Sequence, residues 1–336
     1  MQEVHDLALR RFSQIWDAVS DEREQCVEDR RFYSVVGAQW EGRLSEQFAN
    51  KPRMEFNKVH MAVIHTINEQ RNNRITVDFV SKDGSDDRTA DICDSLLRAD
   101  EERSNAQDVY DTCFEEKTGG GIGAWRLVTE YEDESDPDND KQRVGFQSIP
   151  DADQSVFFDL SAKRTDKLDA KFAFVITEMQ KTDFKDKYDE CPTTWPITNN
   201  NSGRFDWATK HTVFIAEYYL KESANETLSY FTTAGGDTEK YYKEELSEDK
   251  LLELEAVGTS FSHTRKIKKP RVRKYIMSGN SIMEDTGYIA GEHIPIVMEF
   301  GKRWVVDGIE RAMGRVRLAK DPQRVLNVQI SSLVHQ

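Results

Sequence analysis

Residues 171–179 read KFAFVITEM. Aromatic and β-branched residues dominate the run, which predicts a strong strand. Thr182 follows as the cap of a short helix reaching about Tyr188. Working outward, HTVFIAEYYLKE (211–222) and ETLSYFTT (226–233) read as further strands, and RKIKKPRVRKYIMSGN (265–280) as a strand pair or one long basic strand interrupted by Pro270. Upstream, AWRLVTEYED (124–133), RVGFQSI (143–149) and SVFFD (155–159) are shorter strands. Between them, EDESDPDND (132–140) is an acidic loop and CPTTWPITNNNSGRFDW (191–207) a long surface loop punctuated by Pro and Asn. KEELSEDKLLELE (243–255) reads as a charged helix with an apolar ridge.

Helices flank this middle. Val4, Leu7, Phe12, Ile15, Trp16 and Val19 recur at three- and four-residue steps and share one stripe. A helix over 56–72 buries Phe56, Val59, Val63 and Ile67, with Asn57 as its cap. RITVDFV (74–80) alternates Ile75, Val77 and Phe79 with other residues and predicts a short strand. One long helix is expected over about 86–117, stopped by Gly119-Gly120-Gly121. IPIVMEFGKRWVVDG (294–308) is extended, with Pro295 suited to an edge. Residues 308–335 then read as one long helix carrying Ile309, Met313, Val316, Ala319, Leu326, Ile330 and Leu333, kinked or broken at Pro322. The whole is α+β: N-terminal helices and a central antiparallel strand-rich part together make up an α+β region over 1–307, followed by a C-terminal long helix over 308–336.

The chain has 336 residues, a length of about two domains. Charged residues make up 32% and the mean hydropathy is −0.71, so the protein is rich in surface, while 10% aromatics argue against wholesale disorder. No apolar run approaches the roughly 18 residues a membrane helix needs, and the opening MQEVHDLALRRFSQIWD does not resemble a signal peptide. Cys26, Cys93, Cys113 and Cys191 are scattered without a CxxC pair, as expected of free thiols in a reducing compartment. The net charge of −15 is uneven: residues 260–336 hold 14 Lys+Arg and 7 Asp+Glu, while residues 1–259 hold 32 and 54, balances of +7 and −22. An acidic body does not condense on nucleic acid; the basic quarter suits phosphates or an acidic partner.

Motifs for chemistry are weak. Gly119-Gly120-Gly121-Ile122-Gly123 lacks the Lys-Ser/Thr of a phosphate loop and follows a helix rather than a strand, so it reads as a structural turn. Asp136, Asp138 and Asp140 have calcium-loop spacing, but Lys141 and Gln147 stand where Gly and Glu are required. His60 and His65 fall on different sides of a helix, and neither HExxH nor GxSxG occurs. No enzyme, metal or cofactor is therefore expected. Two basic clusters remain. Arg265, Lys266, Lys268, Lys269, Arg271, Arg273 and Lys274 form a basic strand, read as a solvated or subunit- or partner-contact face. Arg311, Arg315, Arg317 and Lys320, with Arg324 beyond, are candidate nucleic-acid or channel contacts. Taken as exposed side chains, these four predict little effect of charge reversal on folding.

Several stretches go beyond pattern. SNAQDVYDTCFEEKTGGGIGAWRLVTEYEDE (104–134), SVFFDLSAKRTDKLDAKFAFV (155–175), FDWATKHTVFIAEYY (205–219) and EHIPIVMEFGKRWVVDGIERAMGRVRLAKDPQRVLNVQISSL (292–333) resemble the portal protein of short-tailed, double-stranded-DNA bacteriophages of the Salmonella-phage type. RITVDFVSKDGSDDRTADICDSLLR (74–98) resembles that family's N-terminal region. The resemblance implies a non-enzymatic subunit of a dodecameric ring, the head-to-tail connector at one capsid vertex of the virion, assembled in the bacterial cytoplasm. Double-stranded DNA is packaged through that ring, independent of sequence, by the terminase large subunit, and is later ejected. Coat and scaffolding proteins and a tail adaptor are its other implied partners, and no membrane is involved. Residues 1–307 would be wing-like and 308–336 a stem or channel helix. The family is longer than this chain, so a fragment or truncated gene is expected. The alternative is a non-viral adaptor or scaffold that binds an acidic partner through the basic quarter.

Overall fold

The computed structural model describes residues 1–81, 87–133, 135, 139–188, 205–233, 238–242, 246, 250–251, 254 and 259–335. Its helices α1 (Gln2–Ser34), α2 (Arg43–Gln47), α3 (Lys58–Asn72), α4 (Asp87–Arg103) and α5 (Ala106–Gly119) come first. Strands β1 (Ile122–Tyr131) and β2 (Gln142–Ser148), the single-turn helix α6 (Ala152–Ser155), β3 (Val156–Phe158), β4 (Phe172–Gln180) and helix α7 (Lys181–Tyr188) follow. Then come β5 (Thr212–Thr232), β6 (Thr238–Tyr242), β7 (Ser260–Met277), β8 (Ile282–Ile289), β9 (Ile296–Phe300), β10 (Lys302–Val306) and β11 (Ile309–Met313). A 3-10 turn at Arg317–Ala319 leads into helix α8 (Lys320–His335). The α+β class expected from sequence is what the chain adopts.

The main sheet is antiparallel, in the order β3-β4-β5-β7-β8, with β6 paired to the far end of β5. Alternation along β4 sends Phe172, Phe174 and Ile176 to one face and Ala173 and Val175 to the other. Tyr218 of β5 and Tyr275 and Met277 of β7 extend the first face, and Phe12, Ile15 and Val19 of α1 cover it. The second face packs on the smaller sheet β2-β1-β9 through Ile122, Ala124, Ile296 and Met298. Both faces are dry, so the run FAFVI is apolar without interruption. Rings lock the first layer: Phe12 meets Phe157 edge-on at 5.4 Å, and Phe174 stacks on Tyr218 at 4.7 Å.

Past the core, β5 and β7 continue as a two-stranded ribbon, to which β6 adds. HTVFIAEYYLKE and ETLSYFTT are one strand rather than two. β8 flanks β7 only from Val272 to Met277, so Pro270 sits where β7 has a single neighbour among the described residues, a position that tolerates its missing N–H.

Several elements differ from the sequence reading. α1 runs on to Ser34, with Cys26, Phe32 and Tyr33 continuing its buried stripe. The helix expected over 86–117 is broken at Asn105, which takes a left-handed conformation at φ 49° between α4 and α5. RITVDFV is extended but pairs with no strand among the described residues. The single helix over 308–335 is corrected: Asp307 (φ 53°) and Gly308 (φ 77°) make a two-residue turn that pairs Val306 with Ile309. Residues 309–313 are therefore the second strand of a hairpin, because Asp-Gly supplies the left-handed backbone such a turn demands. Pro322 falls in the first turn of α8, where no intrahelical N–H is lost. Asn57 caps α3 as expected, accepting from the His60 N–H at 2.9 Å. Most of the loop over 191–207, most of the charged helix over 243–255, and Asp136 and Asp138 lie outside the described residues.

Candidate functional site

The C-terminal cations sit on different elements. Arg311 is on β11, Arg315 in the following bend, Arg317 in the 3-10 turn and Lys320 at the start of α8. What gathers them is α1. Its stripe of three- and four-residue steps turns from apolar to acidic at Glu22 and Asp29, both buried, with Cys26 between them. Arg317 donates to Asp29 at 2.7 Å and also to Glu22. Arg311 donates to Glu22 at 3.2 Å, and the Lys320 ammonium lies 2.5 Å from Asp29. Burial opposes the charge on Arg317, but its hydrogen bonds to Glu22 and Asp29 outweigh that and raise its pKa. Burial pushes the Cys26 thiol up to about 11, against the pull of Arg317 and Arg23. The side chains of Arg317 and Lys320 are only 17% and 14% exposed, which corrects the expectation that all four cations stand free in solvent. Arg315 is exposed and donates to the Thr66 hydroxyl.

A second acidic–basic group lies further along α1. Arg30 grips Asp153 with two bonds, of 2.9 and 2.7 Å, and reaches Asp151 at 2.7 Å. Glu116 of α5 accepts from the backbone N–H groups of Asp151 and Ala152 at 2.8 and 3.1 Å, fixing the start of α6. Burial raises both carboxyls, Glu116 against those N–H bonds and Asp153 against Arg30.

The glycine turn is a packing device. Gly121 has φ 110°, and a Cβ there would meet the Met313 backbone at 2.6 Å. A Cβ on Gly314 would stand 2.2 Å from the Gly119 carbonyl. Arg315 N–H donates to Thr118 O at 2.8 Å, and Gly301 N–H to Gly121 O at 2.9 Å. Two backbones thus cross in contact, leaving no cradle for a phosphate.

The basic strand is divided. Near the core, Lys274 and Arg126 flank the Glu217 carboxylate at 3.3 and 2.6 Å, and Arg273 grips Asp285. Arg271 pairs with Glu226 at 2.5 Å, with Lys269 at 4.0 Å from the same residue. Further out, Arg265, Lys266 and Lys268 are exposed and have no ion-pair partner among the described residues.

Sequence reasoning missed the anchor of α8. Gln323, Asn327 and Ser331 recur every four residues and are the buried ones, while Val325, Leu333 and Val334 are exposed. Gln323 accepts from Lys58 N–H at 3.0 Å, Asn327 from Phe56 N–H at 3.1 Å, and Ser331 from Met54 N–H at 2.9 Å. The polar face holds an extended backbone, as a neighbouring strand would. The signal was the four-residue period of Gln, Asn and Ser, hidden beneath the apolar one.

Among the described residues no group of three or more His, Cys, Asp or Glu is placed to hold a metal ion, and no helix is long and apolar enough to cross a membrane. A family model described as phage P22-like portal protein matches residues 9–336. A portal protein of Acyrthosiphon pisum secondary endosymbiont phage 1 is 34% identical over 343 aligned residues, covering 99% of this chain and 47% of that protein. The chain thus spans about half the length of the curated relative it matches.

Proposed function

The chain belongs to the phage P22-like portal protein family, and from that premise we propose that it forms the wall of a ring of identical subunits at one capsid vertex. Double-stranded DNA would enter the head through this ring under a terminase motor and leave by the same path, with coat, scaffolding and tail-adaptor proteins around it. The role is structural. The dodecameric count and the partners follow from the resemblance, and the observation that carries the reading is the family match across nearly the whole chain.

The physics supports a conduit. A channel must not hold its cargo, because every phosphate bound raises the barrier to the next step. A body with a balance of −22 over residues 1–259 repels DNA. Ion pairs to Glu22 and Asp29 offset the charge of Arg311, Arg317 and Lys320. Arg315 is then the exposed cation of that group and the first candidate for contact with the DNA backbone.

Negative-stain imaging with native mass spectrometry of the purified chain tests the proposal. The expected result is a closed ring with a central hole; a stable small oligomer without a hole overturns it. Arg315→Glu should alter DNA retention in packaged particles without changing the thermal midpoint of the chain.

A further inference from the structure

One region of the chain reads as a strand in sequence but pairs with no strand among the described residues. Residues 74–80, RITVDFV, are extended and make no backbone hydrogen bond among the described residues. Their apolar side chains point into water: Ile75 is 93% exposed, Val77 69% and Val80 85%. The adjoining α4 buries no residue at all and exposes Ile92 and Leu96. A lobe this apolar and this open is the mark of a surface that another molecule covers.

A matching acceptor lies elsewhere on the same chain. The outer edge of β7 from Ser260 to Arg271 is unpaired among the described residues, since β8 begins its pairing at Val272. Such an edge presents a row of free N–H and C=O groups to any incoming strand. The charges are complementary as well. Residues 74–81 and 87–103 hold 4 Lys+Arg and 7 Asp+Glu, whereas residues 260–274 hold seven Lys+Arg and no carboxylate. In its own chain the lobe packs against α5 and β2.

We propose that residues 74–80 of one copy add as a strand to the free β7 edge of a second copy, with the acidic lobe seated beside Arg265, Lys266 and Lys268. Backbone bonds supply the affinity, alternating Ile75, Val77 and Phe79 supply a shared apolar face, and the opposite charges set the orientation. Donor and acceptor are different surfaces, so the contact is head-to-tail and closes into a ring or runs on as a filament. The inference rests on the ring reading above and names the surface that would build the ring.

Sedimentation velocity on the full chain tests it with two variants. Val77→Pro deletes a backbone donor in a segment whose N–H groups are unused among the described residues, and Lys266→Glu with Lys268→Glu reverses the acceptor edge. Each should weaken self-association at least about tenfold, as loss of a central contact does, while far-ultraviolet circular dichroism and the melting temperature stay at wild-type values. Ile75→Asp should repeat the effect of Val77→Pro. An equal mixture of the donor and acceptor variants keeps one working contact and should stop at dimers. The proposal is overturned if Val77→Pro and Ile75→Asp associate like wild type, or if the mixture builds large assemblies; the ring reading survives either result. It is also overturned if the acceptor variant loses only duplex-DNA binding. A wild-type chain that stays monomeric at its highest soluble concentration overturns the proposal and the ring reading together.

Discussion

Arg317 and Asp29 stand 288 residues apart in the chain and 2.7 Å apart in space. Asp29 is fully buried, and its ion-pair partners among the described residues, Arg317 and Lys320, both come from the C-terminal segment. A charge in that position is tolerated only because it is paired. The contact therefore fastens the end of the chain to the first helix.

Removing the guanidinium should be costly. Arg317→Ala leaves Asp29 to Lys320 alone and Glu22 to Arg311, and should destabilise the fold by about 3 kcal/mol, the low end for breaking a buried pair. Urea denaturation reads this as a lower midpoint. Asp29→Asn combined with Arg317→Met should recover part of the loss, because the stranded Asp29 carboxylate is removed while Lys320 keeps Glu28 at 3.7 Å and Glu22 keeps Arg311. Equal destabilisation of the double and single variants would show that the pair is not what fastens the segment.

The ladder on α8 makes a second prediction. Asn327 accepts from Phe56 N–H and Gln323, and donates to Gln39 at 2.6 Å. Asn327→Ala strands those partners and should cost about 2 kcal/mol, within the range for buried groups left unsatisfied. Val325→Ala, at an exposed apolar position of the same helix, should change stability by under about 0.5 kcal/mol. Chemical denaturation of the two variants side by side checks the inverted face directly.

Glu217 gives an acid dependence. Burial works to raise its carboxyl, but Lys274, Arg126 and the Tyr219 hydroxyl together hold it below the ordinary 4.5. The unfolded chain then takes up a proton before the folded one, so this contribution is complete above pH 4.5 and fades as the pH falls through the lower folded value. Urea midpoints measured downward from neutral pH should fall more steeply for wild type than for Glu217→Gln. Parallel curves would refute the assignment.

Thiol labelling supplies a fourth check. Cys26 and Cys113 are buried, and burial raises both pKa values, whereas Cys93 is partly exposed. In a Cys191→Ala background, an aromatic disulfide reagent at neutral pH should titrate one thiol in the native chain and three after unfolding. Rapid native labelling of Cys26 would contradict the packing of α1 against β11.

Much of the fold could be read along the chain, because the relevant forces are local. The strand over 171–179 announced itself by residue type, α3 by its Asn57 cap and the end of α5 by its glycines. Asp307–Gly308 was equally legible as a hairpin turn. It was overridden by the helical spacing of Ile309, Met313 and Val316, which β11 and the bend after it also satisfy. The family was legible too, in long chemically odd segments, and the match to the family model and to a portal protein bears that family out.

Composition and periodicity alone fixed how the charge divides between an acidic body and a basic end and most of where the chain extends and coils, the strand at Ile309–Met313 and the break at Asn105 excepted. They did not reveal which face of a helix turns inward. A stripe of Gln323, Asn327 and Ser331 and a stripe of Leu326, Ile330 and Leu333 both recur at helical spacing, and burying the polar one is favourable only if free backbone N–H groups lie opposite. Those groups belong to residues 54–58, more than 260 positions earlier. Glu22 and Asp29 likewise become interior residues only once Arg311, Arg317 and Lys320 arrive from the far end. A buried polar group is settled by its partner, and only the folded chain brings the two together.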